Sequence, residues 1–144
     1  VGLALKLAQR EQCLTHGITE MRWTFDPLLW ANARFNLVRL GARVVGFFPH
    51  CYGDRRDAFN TGDRTDRVEV SWQLDRPVGG AAVAATPGDS VIVVPHDYLA
   101  LRSADPDGAA TLRASVGAAL AELFARGGAL RGMNDAGYVV TGRA

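Results

Sequence analysis

Lysine is all but missing: Lys6 is the single lysine among 144 residues, and every other basic side chain is an arginine. Together with abundant Ala and Gly, this bias reads as a coding preference before it reads as chemistry. An excess of charge is lacking too. Lys and Arg number 16 against 15 for Asp and Glu, so a formal charge of +1 provides no global field to draw in nucleic acid or an anionic membrane. Cysteine is limited to Cys13 and Cys51. Their spacing suits neither a metal site nor the dense disulfide framework of a small secreted domain, and a reducing cytoplasm is the expected home. No apolar run approaches the roughly 18 residues of a membrane span, and no basic stretch followed by an apolar one marks export. A leading methionine is absent as well, and a helical pattern begins at once from Val1 without a cap residue. Missing upstream sequence is the expectation.

What is present suffices for one ordinary domain, since 48% of the residues are hydrophobic and can bury a core. Leu3, Leu7 and Leu14, with Ala4, Leu5 and Ala8 beside them, follow helical spacing, and Gly17 supplies the left-handed terminus. Ile18 to Phe25 then alternates as a strand until Asp26-Pro27 breaks it. Trp30 to Leu40 resumes helical spacing, Gly41 stops it, and Ala42 to Phe48 reads as another strand. Residues 51–67 carry Gly, Asp, Arg and Asn with little periodicity and read as a long excursion, the kind of loop that often carries function. Arg67 to Leu74 sets Val68, Val70 and Trp72 against Glu69, Ser71 and Gln73, a strand with one buried face.

Residues 75–90 are rich in Pro, Gly and Ala and present no face to bury, so they form an expected flexible connection and the best internal boundary. Val91 to Val94 reads as a buried strand ended by Pro95. A helical turn follows with Tyr98, Leu99 and Leu101, a helix boundary falls at Asp105-Pro106-Asp107, and a last helix runs over about 109–126 before Gly127-Gly128 closes it. Gly137 to Gly142 reads as a final short strand. No solenoid-type repeat is visible. The reading is α/β of the α+β type, with units 1–74, 75–90 and 91–144, the last a strand-helix-strand extension that either packs on the same sheet or forms a small second subdomain.

Chemistry is suggested first by Gly2 and Leu3. They stand at the amino end of a helix, where free backbone N–H groups and the helix dipole favour an anion such as a phosphate. A glycine there also serves simple packing. Asn32 and Asn36 are either helix caps, solvated polar positions or ligand contacts, and Phe35 is either core or cofactor wall. Asp26, directly after a strand, is better placed to cap a turn than to carry a proton. Asp54, Arg55, Arg56, Asp57, Asp63, Arg64, Asp66 and Arg67 form a mixed-sign cluster, either a solvated face or a selector of charged substrates.

The segments KLAQRE (6–11), RWTFDPL (22–28), NARFNLVRLGA (32–42), HCYGD (50–54) and NTGDRTDRVEVSW (60–72) together resemble a group of bacterial proteins described as predicted GNAT-type N-acetyltransferases. The similarity continues through VIVVPHD (91–97) and GYVVTG (137–142). The resemblance implies a mostly antiparallel mixed sheet flanked by helices, here lacking the first strands and helices. It also implies acetyl-CoA or another acyl-CoA as cofactor, with 1–74 as the carboxy-terminal half of the acyl-CoA-binding domain. Gly2 matches the last Gly or Ala of the family's pyrophosphate loop, so Gly2, Leu3, Asn32, Phe35 and Asn36 are the implied cofactor contacts. The family's acid tyrosine aligns with Leu37, which leaves Tyr52 as the candidate general acid.

The implied reaction is acyl transfer to an amine, on a small molecule or a peptide, with neither nucleic acid nor membrane as partner and a homodimer left open. A catalytically inactive ligand-binding or protein-interaction domain is the alternative. A Rossmann-type enzyme fits less well, because no complete Gly-x-Gly-x-x-Gly follows a strand. A DNA-binding role lacks a basic face.

Overall fold

The computed structural model of the chain describes residues 1–50 and 65–141. Helix α1 (Gly2–Thr15) leads into strand β1 (Glu20–Phe25), helix α2 (Trp30–Arg34), a π-helical turn (Phe35–Arg39), β2 (Arg43–Phe48) and β3 (Arg67–Gln73). A second set follows: β4 (Asp89–Val93), α3 (Tyr98–Ala104), α4 (Pro106–Ala125), β5 (Ala129–Met133) and β6 (Gly137–Thr141). The chain is thus of mixed α+β class with antiparallel sheets.

The two sets repeat one topology. In the first sheet the order is β1-β3-β2 and in the second β4-β6-β5, with every pairing antiparallel. In each, the last strand lies between the other two. The correspondence extends to a register shift in the strand before it, between Val44 and Gly46 in β2 and between Leu130 and Gly132 in β5. Each shifted strand follows a helix closed by a glycine at positive φ, Gly41 at 77° and Gly127 at 68°. Strand β5 escapes the sequence pattern because Arg131 and Gly132 interrupt its only alternating residues.

Alternation decides which faces pack. Val68, Val70 and Trp72 of β3 are buried, and Tyr138, Val139 and Val140 bury most of β6. Val68, Val70, Trp72, Tyr138 and Val140 share one apolar cluster with Leu28, Leu37 and Leu40 from the first set and with Val116, Leu120 and Leu123 of α4. Central strands contribute most, as expected for strands flanked on both sides. Helix α4 starts where Asp105 accepts from Gly108 N at 2.9 Å, with Pro106 in the first turn. Helix α1 has no fully buried residue. Its inner face carries Leu3, Lys6, Arg10, Cys13 and Leu14, with Lys6 Nζ 3.9 Å above the Trp23 ring and Arg10 Nε donating to the Leu74 carbonyl at 2.8 Å.

Several contacts among the described residues join the sets. Arg113 of α4 donates through both terminal nitrogens to Asp26, at 2.5 and 2.8 Å. The Tyr138 hydroxyl donates to the Pro27 carbonyl at 2.5 Å. Trp30 stacks on His96 with ring centres 4.1 Å apart. Residues 75–88 hold no helix or strand, yet they are fastened at both sides. Gly79 N and Gly80 N donate to the carbonyls of Leu40 and Val38, and Val83 N donates to the Met133 carbonyl. The carbonyls at the end of the π turn are therefore capped by a segment about 40 residues on in sequence rather than by the chain that directly follows. No helix among the described residues is long and apolar enough to cross a membrane.

Candidate functional site

A cleft of about 750 Å³ opens where the first turn of α1 meets α2 and the π turn. Leu3, Trp30, Phe35 and Val38 give it apolar walls, Arg34 and Arg39 stand on its rim, and Gly79 and Gly80 close one end. Its mixture of apolar wall and a few cationic groups is that of a small-molecule site.

The walls follow from local folding. Leu29 has extended backbone and starts α2, and from Phe35 the helix widens, so that Leu40 N reaches the Phe35 carbonyl five residues back at 2.9 Å. A π-helical turn of this kind shifts the side-chain register partway along a helix and recurs at functional sites. Here Phe35 remains at the cleft while Asn36 and Leu37 are buried. On the opposite wall, the first amides of α1 have no acceptor within the helix, and Val1 supplies no side-chain cap. A Cβ added at Gly2 would lie 3.8 Å from Phe35 Cζ, so Gly2 directly adjoins the Phe35 ring.

Electrostatically the cleft is cationic. Arg34 approaches Asp135 at 3.6 Å, a pair in which both side chains are largely exposed and the attraction is strongly screened. Arg39 has neither an ion pair nor a side-chain hydrogen bond among the described residues. Two arginines and Leu3, in the first turn of α1, thus line one hollow. On the inner face of α1, burial holds the Lys6 ammonium under the usual lysine range.

Of the residues singled out in the sequence, Leu3 and Phe35 line this cleft, and Gly2 adjoins the Phe35 ring. Asn32 lines a separate hollow of about 260 Å³, with Trp30, His96 and Tyr98. Asn36 turns inward, and its Oδ1 accepts from Trp23 Nε1 at 3.3 Å. Tyr52 lies outside the described residues, as do Cys51 and the mixed-sign cluster from Asp54 to Arg64. Asp26 closes the turn after β1 by accepting from Leu28 N at 2.9 Å, and it also holds Arg113. Sequence reading missed Arg34 and Arg39 as cleft residues. Both stand in the helical segment that follows Leu29, and their helical spacing from Phe35 and Val38 was the signal that could have found them. Among the described residues no group of His, Cys, Asp and Glu is arranged to hold a metal ion.

No family model matches the chain, and neither a curated protein nor a solved structure matches it.

Proposed function

We propose that the cleft binds acyl-CoA and that the protein is an acyl-CoA-dependent N-acyltransferase, acting on an amine of a small molecule or peptide with acetyl-CoA as the leading donor. The observation that carries this reading is that Leu3 and Phe35, from two helices separated by a strand, line one cleft beside Arg34 and Arg39, with Gly2 against the Phe35 ring. An elongated ligand with an anionic pyrophosphate and an apolar arm is complementary to that combination. The sequence resemblance to GNAT-type acetyltransferases points the same way, and the order of helix, strand, helix and two strands among the described residues of 2–73 is compatible with it.

When bound, acyl-CoA supplies an activated thioester. The chain's own part is to bind and orient. Arg34, Arg39 and the free amides of α1 would hold the phosphates, and Leu3, Phe35 and Val38 would exclude water along the arm. Tyr52 is the proposed proton donor to the departing thiolate. Among the described residues Tyr98 and Tyr138 are both buried and are engaged elsewhere, and Leu37 is buried in the core.

That burial of Leu37 favours a second reading, a ligand-binding domain without turnover. Calorimetric titration with acetyl-CoA tests the first step, and thiol release in the presence of an amine panel tests the second. Saturable binding lost in Phe35→Ala and weakened about tenfold in Arg39→Ala is expected, as for loss of one charge-assisted contact. No saturable binding at high-micromolar protein overturns the cofactor reading, and binding without thiol release selects the second.

A further inference from the structure

Among the described residues, the arginines form a sharply divided set. Arg10, Arg22, Arg34, Arg113, Arg126 and Arg131 each have a carboxylate or carbonyl partner. Arg67 and Arg102 have partners as well. Arg39, Arg43 and Arg76 have none among the described residues, and Arg43 and Arg76 are exposed. The three come from the π turn, the start of β2 and the connection after β3, yet they border three hollows that meet at Gly79.

The middle hollow, of about 520 Å³, lies between the two sheets. Its sides are Leu37, Val44, Val83 and Leu130, with Arg43 and the Asp89-paired Arg131 also in its lining. A third hollow of about 280 Å³ lies on the other side of Arg43 and is bounded by Arg76, Pro77 and Trp72. The surface between them is made by Gly41, Gly79 and Gly80, which are packed backbone to backbone. A Cβ at Gly41 would fall 2.6 Å from the Gly79 carbonyl oxygen, and one at Gly80 would fall 2.8 Å from that of Leu37. No side chain rises from the seam, and the cations stand around it.

We infer that this glycine seam is a docking surface for an acidic peptide segment, with an apolar side chain entering the hollow between the sheets and flanking carboxylates meeting Arg43 and Arg76. Three reasons favour that occupant. Guanidinium groups lacking a carboxylate among the described residues are complementary to carboxylates in a partner, which they can hold through two parallel hydrogen bonds. A single exposed ion pair contributes little, so an anion touching one arginine would not stay, whereas a segment that spans the seam engages several at once. The hollow between the sheets is walled by aliphatic side chains and lacks the exposed aromatic platforms on which single-stranded nucleic acid stacks, and the aromatic beside the third hollow, Trp72, is buried. This inference does not depend on acyl-CoA binding, because neither Arg43 nor Arg76 lines the cleft at α1.

Fluorescence anisotropy tests it with a labelled peptide in which Asp and Glu flank a leucine, alongside the same peptide with lysines for the acids and a labelled oligodeoxynucleotide of equal length. The acidic peptide is expected to bind and to weaken with added salt. In Arg43→Glu its affinity should fall about tenfold or more, and Arg76→Glu should add to the loss. Both sites are exposed, and circular dichroism verifies that the variants fold. Replacing the peptide's leucine by glycine should weaken binding to the unaltered protein. The inference is overturned by no binding of the acidic peptide, by equal binding of the lysine peptide, by unchanged affinity in the folded double variant, or by tighter binding of the oligonucleotide.

Discussion

Arg113 and Asp26, 87 positions apart, form a two-pronged ion pair in which the arginine side chain is 2% exposed and the aspartate 10%. The guanidinium also lies 4.7 Å from the centre of the Tyr98 ring. Helix α4 is thereby fixed to the turn that ends β1, the same turn whose chain continues into α2 and the wall of the cleft. A buried pair of this sort is a poor source of net stability, since desolvation offsets the attraction, but it is costly to break from one side.

Asp26→Asn and Arg113→Met should each lower unfolding free energy by about 3–5 kcal/mol, because each removes one of the two opposite charges of the buried pair. In the first variant the asparagine's amide oxygen would still accept from Leu28 N, so the turn itself is retained. The double variant Asp26→Asn with Arg113→Met should cost clearly less than the two singles added together. Urea unfolding followed by tryptophan fluorescence gives the three values. Additive losses would show that the two side chains do not act as a pair.

Tyr138 is fully buried, and burial first, then the negative charge of Asp26, pushes its phenol far above the ordinary value of 10. The folded protein therefore keeps the proton at a pH where the unfolded chain has released it. Stability from this difference is fully present below pH 10 and is lost as pH rises above that value. Tyr138→Phe removes the hydroxyl bond to the Pro27 carbonyl and should cost about 1–3 kcal/mol at neutral pH. It should also flatten the decline in denaturation midpoint above pH 10. A variant with the same alkaline decline as the parent would place the titrating group elsewhere.

Much of the order of elements is legible in the sequence, because it rests on local signals. Gly17, Gly41 and Gly127 mark helix ends, Asp105-Pro106 marks a helix start, and the alternation of Val68, Val70 and Trp72 marks the central strand of the first sheet. What escapes depends on partners distant in the chain. Nothing local to Arg113 distinguishes it from a solvated arginine on a helix until Asp26 is brought beside it. The amides of Gly79 and Gly80 find the carbonyls of Leu40 and Val38 only after folding, so a stretch of Pro, Gly and Ala reads as a bare connection. The repeated strand order is hidden for a related reason: topology is set by which edges pair, and here the two sets share that pairing with little common sequence. At the cleft, Leu3 and Phe35, two of the residues singled out by motif likeness, do line the hollow, whereas Asn36 was indistinguishable from a cleft residue until the π turn directed it to Trp23.

Gly41 tests how far the connection shapes the cleft. Its φ of 77° lies in the left-handed region, where any other residue costs about 1–2 kcal/mol. Gly17 has a similar φ of 73° but nothing within 4 Å of an added Cβ, while an alanine Cβ at Gly41 would meet the Gly79 carbonyl oxygen at 2.6 Å. Gly17→Ala should therefore show the backbone cost alone. Gly41→Ala should lose about 2–4 kcal/mol, the excess coming from backbone atoms forced apart at the seam. Because Gly79 and Gly80 close one end of the cleft, that displacement should also weaken acetyl-CoA binding in Gly41→Ala and leave it unchanged in Gly17→Ala. Thermal unfolding and calorimetric titration of the two variants, side by side, separate the effects. Equal stability losses would mean that the seam yields without strain, and a cleft held by other contacts would keep its affinity in both.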